Sequence, residues 1–156
     1  MKDFKKEYEK YIAGEKKLNE LYHKIAMQIG ISDSVLWTLY CLFDPNMSHT
    51  QNDIAQKMGV AKQTINSAVN RLLKEEYVYL EQMAAARNNK QIFLTEKGKK
   101  FCKEYISPVV EAEEKAFNRL SEKEQEIYLA IGIKHNEYLK EKLEEVLSEQ
   151  SGENNG

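Results

Sequence analysis

Apolar residues near the N-terminus recur at the spacing of an α-helix. From Phe4 to Ile25 an apolar residue returns every seven positions, others follow one turn later, and Lys and Glu fill the rest. This pattern predicts one long amphipathic helix, which ends at Gly30 because glycine readily takes the left-handed backbone at a helix C-terminus. A second helix, capped by Ser32, is predicted over the apolar positions 35–43.

The second half of the chain returns to helical spacing. Thr95 is expected to cap a long helix, and Pro108 is expected to kink it because proline cannot donate a backbone hydrogen bond. Ser121 with Glu124 resembles a capping box at the start of a last helix, which extends to about position 147. The polar residues 149–156 are predicted to form a disordered tail.

Between these helical regions lies a helix-turn-helix pattern. Thr50 is expected to cap a short helix, Gly59 marks a tight turn, and a further helix runs from about Ala61 to Glu76. Ala55 is small where the two helices must approach each other closely. The positions expected to point inward and form a shared core are Ile54, Met58, Val60, Ile65 and Val69.

The periodicity then changes from helical to strand-like. Residues 77–81 and 91–94 are aromatic and β-branched, and a polar, basic loop separates them. Two short strands around such a loop predict a β-hairpin. The expected fold is therefore mainly α-helical with a small two- or three-stranded β wing, a winged helix-turn-helix.

The exposed face of the second helix of this motif carries residue types that suit DNA. Amides and hydroxyls both donate and accept hydrogen bonds, as base edges in the major groove require, while Lys and Arg suit phosphates. A solvated helix surface is the alternative, but the other helices of this chain favour Glu and Lys on such surfaces. The predicted DNA-contacting residues, including two basic residues of the wing, are Gln51, Lys62, Gln63, Thr64, Asn66, Ser67, Asn70, Arg71, Arg87 and Lys90.

Charge and composition restrict the class of function. Residues 48–100 hold nine Lys or Arg against five acidic residues, whereas residues 101–156 hold seven against thirteen. A basic centre suits contact of that centre alone with a polyanion. The chain lacks an apolar run long enough for a membrane span or a secretory signal, which predicts a cytoplasmic protein. It also lacks a glycine-rich phosphate loop, a nucleophile elbow and metal-ligand spacing, so no enzyme activity, metal or cofactor is expected.

Four stretches together resemble the MarR family of transcriptional regulators. They are ISDSVLWTLYCLF, HTQNDIAQKMGVAKQTINSAVNRLLKEEYV, IFLTEKGKK and LSEKEQE. The resemblance implies a winged helix-turn-helix DNA-binding domain over residues 31–99 and dimerisation helices over residues 1–30 and 100–148. It implies a homodimeric repressor that binds a pseudo-palindromic operator in double-stranded DNA. Dimerisation agrees with the apolar stripes of the terminal helices, which one small domain cannot bury alone.

Three positions depart from the family pattern. Alanine at 86, within the run Ala84-Ala85-Ala86, replaces the acidic residue that often precedes the wing arginine. Ala61 replaces a serine cap, which removes roughly 0.5–2 kcal/mol of helix stabilisation. Glu76 replaces the glycine usual after the recognition helix.

The resemblance also implies a response to small aromatic ligands, to oxidants or to metal. The candidate residues for an aromatic ligand, each of which also suits core packing, are Tyr22, His23, Met27, Trp37, Tyr40, Phe101 and Tyr105. A thiol-based redox response would need Cys41 or Cys102, whose apolar neighbours favour buried, inert thiols. A further alternative is a dimeric scaffold or protein-binding module with weak DNA binding.

Overall fold

The computed structural model describes residues 3–44, 49–82 and 90–153, with the backbone alone for residues 150–153. The chain divides into two compact units, Met1–Val110 and Glu111–Gly156. The helices before the wing are α1 (Phe4–Ile29), α2 (Asp33–Phe43), α3 (Gln51–Met58) and α4 (Lys62–Lys74). The wing and the helices after it are β1 (Val78–Gln82), β2 (Lys90–Leu94), α5 (Glu96–Phe101), a π-helical turn (Cys102–Ile106), α6 (Ser107–Phe117) and α7 (Glu122–Glu153). The expected mainly α-helical fold with a β wing is confirmed.

Several helices begin and end where the sequence predicts, because the residues at their ends satisfy free backbone groups. The Ser32 hydroxyl accepts the backbone N–H of Val35, in the first turn of α2, at 3.3 Å. Thr50 and Asp53 form a reciprocal capping box, with N–H to oxygen distances of 3.0 and 3.2 Å. Gly30 and Gly59 close α1 and α3 with φ of 82° and 61°, a left-handed backbone that glycine adopts without steric cost.

The core of the first unit lies among α2, α3, α4, the wing and the π-helical turn. Each element contributes an apolar face to this core. Of the described residues of α1, Ala26 is the one that is buried in it. Burial of an Ile or Leu side chain contributes roughly 1.5–3 kcal/mol. The largest apolar side chains buried there are Leu36, Leu39, Ile54, Ile65, Leu72, Ile92 and Ile106.

The wing is an antiparallel pair of strands, and a single β-bridge connects it to the residue before α3. Val78 pairs with Leu94 and Tyr79 with Phe93, and the Tyr79 and Phe93 rings stack with centroids 5.6 Å apart. An isolated bridge joins Thr50 to Gln91, which attaches β2 to the start of α3. The segment before α3 therefore takes the place of a third strand.

The exit from the wing requires a glycine because two backbones approach closely there. A Cβ on Gly98 would lie 2.0 Å from the carbonyl oxygen of Tyr77. The Thr95 hydroxyl accepts the Gly98 N–H at 3.0 Å and donates to the carbonyl of Glu76 at 2.7 Å. Thr95 and Gly98 together fix the first turn of α5 against the start of β1.

A π-helical turn ends two residues before Pro108, where the sequence predicts a kink. The Ser107 N–H donates to the carbonyl of Cys102, five residues earlier. Proline clashes with the carbonyl of the preceding turn in a regular α-helix, and a wider turn relieves this clash. The local disturbance predicted for Pro108 thus takes the form of a π-helical turn.

The terminal helices leave many large apolar side chains exposed in the single chain. In α1, Leu18 and Leu21 are 51% and 53% exposed, and the same holds for several aromatic residues of this helix. No described helix is by itself long and apolar enough to cross a membrane. Only α1 and α2 taken together, across the 93° bend between them, reach the necessary length and apolar character. The exposed large apolar residues of α7 are Ile127, Tyr128, Leu129, Ile131, Ile133, Tyr138, Leu139, Leu143, Val146 and Leu147.

Glu76 has a left-handed backbone, with φ of 61°, at the position where the sequence pattern has lost a glycine. Such a backbone costs a residue with a Cβ roughly 1–2 kcal/mol. Glycine avoids this cost, but it loses more conformational entropy on folding, which offsets part of the gain. Glu76→Gly should therefore raise the free energy of unfolding by about 0.5–1 kcal/mol in urea denaturation. Glu76→Ala, which keeps the Cβ, should show no such gain. A glycine variant less stable than the alanine variant would contradict this account of the turn.

Candidate nucleic-acid interface

The helix-turn-helix is formed by α3, a tight turn and α4. Ile54 and Ala55 of α3 are buried, and the turn is closed by the Val60 N–H, which donates to the Ala55 carbonyl at 3.1 Å. Gly59 supplies the left-handed residue of this turn. The predicted roles of Ala55 and Gly59 are therefore confirmed, since the first is buried between the helices and the second reverses the chain direction.

One face of α4 is buried and the opposite face is exposed along its whole length. Ile65, Ala68, Val69 and Leu72 are at most 3% exposed, and their spacing of three or four residues forms a single stripe. The structure places the predicted α4 residues together outside this stripe. The exposed members are Lys62, Gln63, Thr64, Asn66, Ser67, Asn70 and Arg71.

The amide side chains on this face are free to meet a ligand. Those of Gln63, Asn66 and Asn70 make no hydrogen bond to another residue in the part of the chain that the structure describes. The Ser67 hydroxyl donates to the Gln63 carbonyl of the same helix at 3.0 Å. Its proton is therefore used within α4, and only the hydroxyl oxygen remains to accept a hydrogen bond from a ligand. The three amides are thus the main free donors and acceptors near the centre of the face.

Arg71 differs from its neighbours because its guanidinium makes contacts within the chain. Its Nε donates to a Glu75 carboxylate oxygen at 2.9 Å, and its Nη2 donates to the carbonyl of Gly30 at 3.0 Å. The bond to Gly30 ties α4 to the corner between α1 and α2. The predicted contact of Arg71 with DNA stays a prediction, and the observed bonds favour a positioning role.

Two features of α4 were missed or misjudged from the sequence. Lys74 is exposed one turn after Asn70 on the same face and was not among the predicted DNA contacts. Its spacing of four residues from Asn70 would have indicated it. The prediction that Val60 points inward is wrong: Val60 is 41% exposed, because the left-handed turn at Gly59 leaves its side chain outside the shared core. Ala61 precedes the helix without a side-chain cap, as its sequence predicts.

The predicted contacts outside α4 are placed less completely. Gln51 is half-buried as the first residue of α3, and Lys90 is exposed as the first residue of β2. Arg87, with the run Ala84-Ala85-Ala86, lies outside the described residues. The base of the wing is therefore described, while the predicted contribution of its tip stays a prediction.

Comparisons with known proteins agree with this geometry. The model of the MarR family matches residues 39–87, which span the helix-turn-helix and the first strand of the wing. The regulator NMB1585 from Neisseria meningitidis has a similar fold, with a TM-score of 0.73 and 19% identity over 89% of this chain and 97% of its own. The chain is thus similar to MarR-family regulators, in sequence over residues 39–87 and in fold over most of its length. No curated protein sequence matches the chain.

Other solved structures of MarR-type regulators are also similar to the chain. MepR of Staphylococcus aureus in its DNA complex has a TM-score of 0.65 and 25% identity, over 83% of this chain and 94% of its own. The transcriptional regulator SlyA has a TM-score of 0.64 and 22% identity, over 93% of this chain and 99% of its own. The MarR-family fold is thus shared across nearly the full length of these proteins.

The candidate residues for an aromatic ligand form two groups. Trp37 packs against Tyr22 and Tyr40, with ring centroids 4.8 and 5.5 Å apart, and all three are half-buried. Phe101 packs against Tyr105 at 4.8 Å and against Tyr77 at 4.7 Å. The sequence did not indicate Tyr77 as a member of this aromatic group, because residue 77 belongs to the strand-like run 77–81.

The two remaining ligand candidates are exposed. Met27 is 65% exposed, and the His23 ring lies 2.9 Å from an Asp33 carboxylate oxygen, so that it links α1 to α2. In the described residues, no group of three or more His, Cys, Asp or Glu side chains could hold a metal ion. The half-buried Trp37 group is therefore a better candidate for ligand contact than the exposed Met27 and His23.

Both thiols are buried, which disfavours a redox response. Burial raises the pKa of the Cys102 thiol to about 12, and burial is also the main cause that raises the pKa of Cys41. The thiolate is the reactive form of cysteine, and at neutral pH it is rare in both residues. The thiol-based alternative receives no support from this geometry.

His49 attaches the wing to the helix-turn-helix and is held in a buried site. Its carbonyl accepts the Ile92 N–H at 2.9 Å, its residue surface is 9% exposed, and its Nδ1 has no hydrogen-bond partner among the described residues. Burial, opposed by the nearby Asp44, lowers the pKa of the His49 imidazole below its ordinary value. The folded chain therefore favours neutral His49.

Stability should consequently fall on acidification. The unfolded chain takes up this proton near the ordinary histidine pKa of about 6.5, before the folded chain does. The free energy of unfolding should decrease below that pH by up to about 1.4 kcal/mol per pH unit, until the folded chain also takes up the proton. His49→Gln should lose less stability between pH 7.5 and pH 5 in urea denaturation. An equal loss in both proteins would contradict the assignment.

Proposed function

We propose that this protein is a regulator of the MarR type, a homodimeric repressor that binds a pseudo-palindromic DNA operator in a sequence-specific manner. The observation that carries the proposal is the two-sided character of α4. Its apolar stripe is fixed in the core of the first unit, while its polar face is exposed and rich in unpartnered amides. A rigid helix with such a face suits the major groove, which admits an α-helix and presents donors and acceptors on every base pair.

The charges around α4 support contact with phosphates. Lys62 and Lys74 are exposed at the two ends of the helix, and Lys90 is exposed at the base of the wing. Cations at the ends of a recognition helix can bind the backbones on either side of a groove. A similar protein, MepR of S. aureus, has been solved in complex with DNA and is 25% identical to this chain. These features favour a nucleic-acid partner over a protein-binding scaffold.

The apolar surface of α7 supports the homodimer. Residues 127–133, IYLAIGI, contain no charged residue, and all five large apolar side chains among them are 49–63% exposed in the single chain. A helix that is apolar on every side is normally buried. A second copy of the chain is the proposed cover, because α1 and α7 both carry apolar surface that pairing of two copies would remove from water. Two copies would then space their α4 helices about one DNA turn, roughly 34 Å, apart.

The proposal includes release from DNA by a small aromatic ligand that contacts Tyr22, Trp37 and Tyr40. This group joins α1 to α2, and α4 is tied to the same corner by the bond from Arg71 to Gly30. A ligand shifts the protein only if it binds the two arrangements of that corner with different affinities. The half-buried rings offer the apolar edges that such a ligand would need.

DNA binding should weaken steeply with salt if phosphates are contacted. The probe is a duplex recovered from a random-sequence library by the full-length protein. The logarithm of the affinity should fall with the logarithm of salt concentration, by roughly 0.9 per phosphate contact. Lys62→Ala and Lys74→Ala should each reduce the magnitude of this slope by roughly 0.9 for every phosphate that the lysine neutralises. Lys115→Ala on α6 removes the same charge outside the first unit and should leave the slope unchanged. Weak binding that is insensitive to salt and sequence would instead favour the scaffold.

Charge in the apolar segment of α7 should separate the two copies. Ile131 is 63% exposed, so Ile131→Asp should leave the first unit folded while it places a carboxylate in the proposed interface. Sedimentation should show a dimer for the natural chain and a monomer for the variant, with operator affinity lowered at least tenfold. Lys123→Asp, at an exposed polar position of α7, should remain dimeric. A natural chain that is monomeric at micromolar concentration would contradict the homodimer.

A further inference from the structure

We infer that the exposed face of α4 reads adenine bases, so that the operator half-site is rich in A·T pairs where α4 enters the groove. This inference rests on the proposed DNA-binding function and goes further, since it names the base chemistry and the residues that recognise it. The residues assigned to base reading are Gln63, Asn66 and Asn70.

The three amides share one face of the helix at the spacing required to meet successive base pairs. Asn66 follows Gln63 by three residues and Asn70 follows Asn66 by four, which keeps all three near one line along the helix. Seven residues of α-helix span about 10 Å, the rise of about three base pairs. Each amide presents one carbonyl acceptor and one NH2 donor, the pair that matches N6 and N7 of adenine.

Among the described residues, no arginine with a free guanidinium lies on this face. Guanine presents two acceptors in the major groove and is most often bound by a free arginine fork. Arg71 is the arginine of α4, and its Nε and Nη2 already donate to Glu75 and to the Gly30 carbonyl. Lys62 and Lys74 are the first and last residues of α4, outside the span of the amides, where phosphates are the nearer partners.

Exposed methyl groups at the start of α4 favour the thymine that pairs with each adenine. Val60 is 41% exposed, and Ala61 and Thr64 are also exposed beside Gln63. The C5 methyl of thymine projects into the major groove, and small apolar groups contact it there. The amides and the apolar groups therefore favour the same base pairs.

The test replaces single atoms of the bases. Duplexes are first selected from a random-sequence library by the full-length protein, and adenines of the best half-site are then replaced one at a time by 7-deazaadenine, which lacks N7. Replacement at a contacted adenine should weaken binding about tenfold, whereas 7-deazaguanine at any guanine of the half-site should change binding less than twofold.

A variant of the protein tests the same contact from the other side. Gln63→Glu keeps the shape of the side chain but converts it to an acceptor alone, which suits the N4 amino group of cytosine. Repeated selection with this variant should exchange an adenine for a cytosine at one position of each half-site. Gln28→Glu, an equal change of charge at an exposed position of α1, should select the original sequence.

The outcomes separate the inference from the function on which it rests. An A·T-rich half-site that is sensitive to 7-deazaadenine supports both. A selected half-site that is sensitive to 7-deazaguanine alone, or unchanged selection by Gln63→Glu, overturns adenine reading and leaves sequence-specific DNA binding intact. A library from which no sequence is enriched overturns both.

Discussion

The packing of one stripe of α4 against α2 and α3 determines what the opposite face of α4 can do. Ile65, Ala68, Val69 and Leu72 are essentially removed from water, and truncating a large side chain of such a stripe would cost a few kcal/mol. Because the stripe occupies one side of a rigid helix, it sets the direction of the amides on the other side without any contact to them. Function therefore depends on core packing as much as on the polar residues themselves. The same core anchors the wing, since Ile92 of β2 is buried in it beside the helices.

Backbone constraints at the corners hold this arrangement in place. Gly59 turns α3 into α4, and the close approach of Gly98 to Tyr77 sets the exit from the wing. Arg71 adds a polar tie between α4 and the carbonyl of Gly30, where α1 ends. The first unit thus connects α1 mechanically to the face proposed to read DNA. A change at the corner between α1 and α2, such as a ligand among its aromatic rings, is positioned to alter the direction of α4.

Much of this fold could be predicted from the sequence because its signals are local. The caps at Ser32 and Thr50, the glycine turns and the apolar period of α4 all depend on residues a few positions apart. The exposure of Val60 and the internal bonds of Arg71 could not be predicted, since they depend on turn geometry and on a partner 41 residues away. The left-handed backbone at Glu76 also contradicts local preference, and bonds from Thr95 and Lys97 to the carbonyls of this turn hold it. Contact with an aromatic ligand stays a prediction, because aromatic residues at helical spacing serve cores and pockets alike.

The central claim is that the amide face of α4 meets base edges while the terminal helices pair two copies of the chain. A crystal structure of the full-length protein with a selected duplex would test it most directly. The account predicts Gln63, Asn66 and Asn70 within about 3 Å of base atoms in the major groove, with two α4 helices about one helical turn of DNA apart. A complex in which α4 packs against protein, or lies outside the groove with its amides in solvent, would contradict the account.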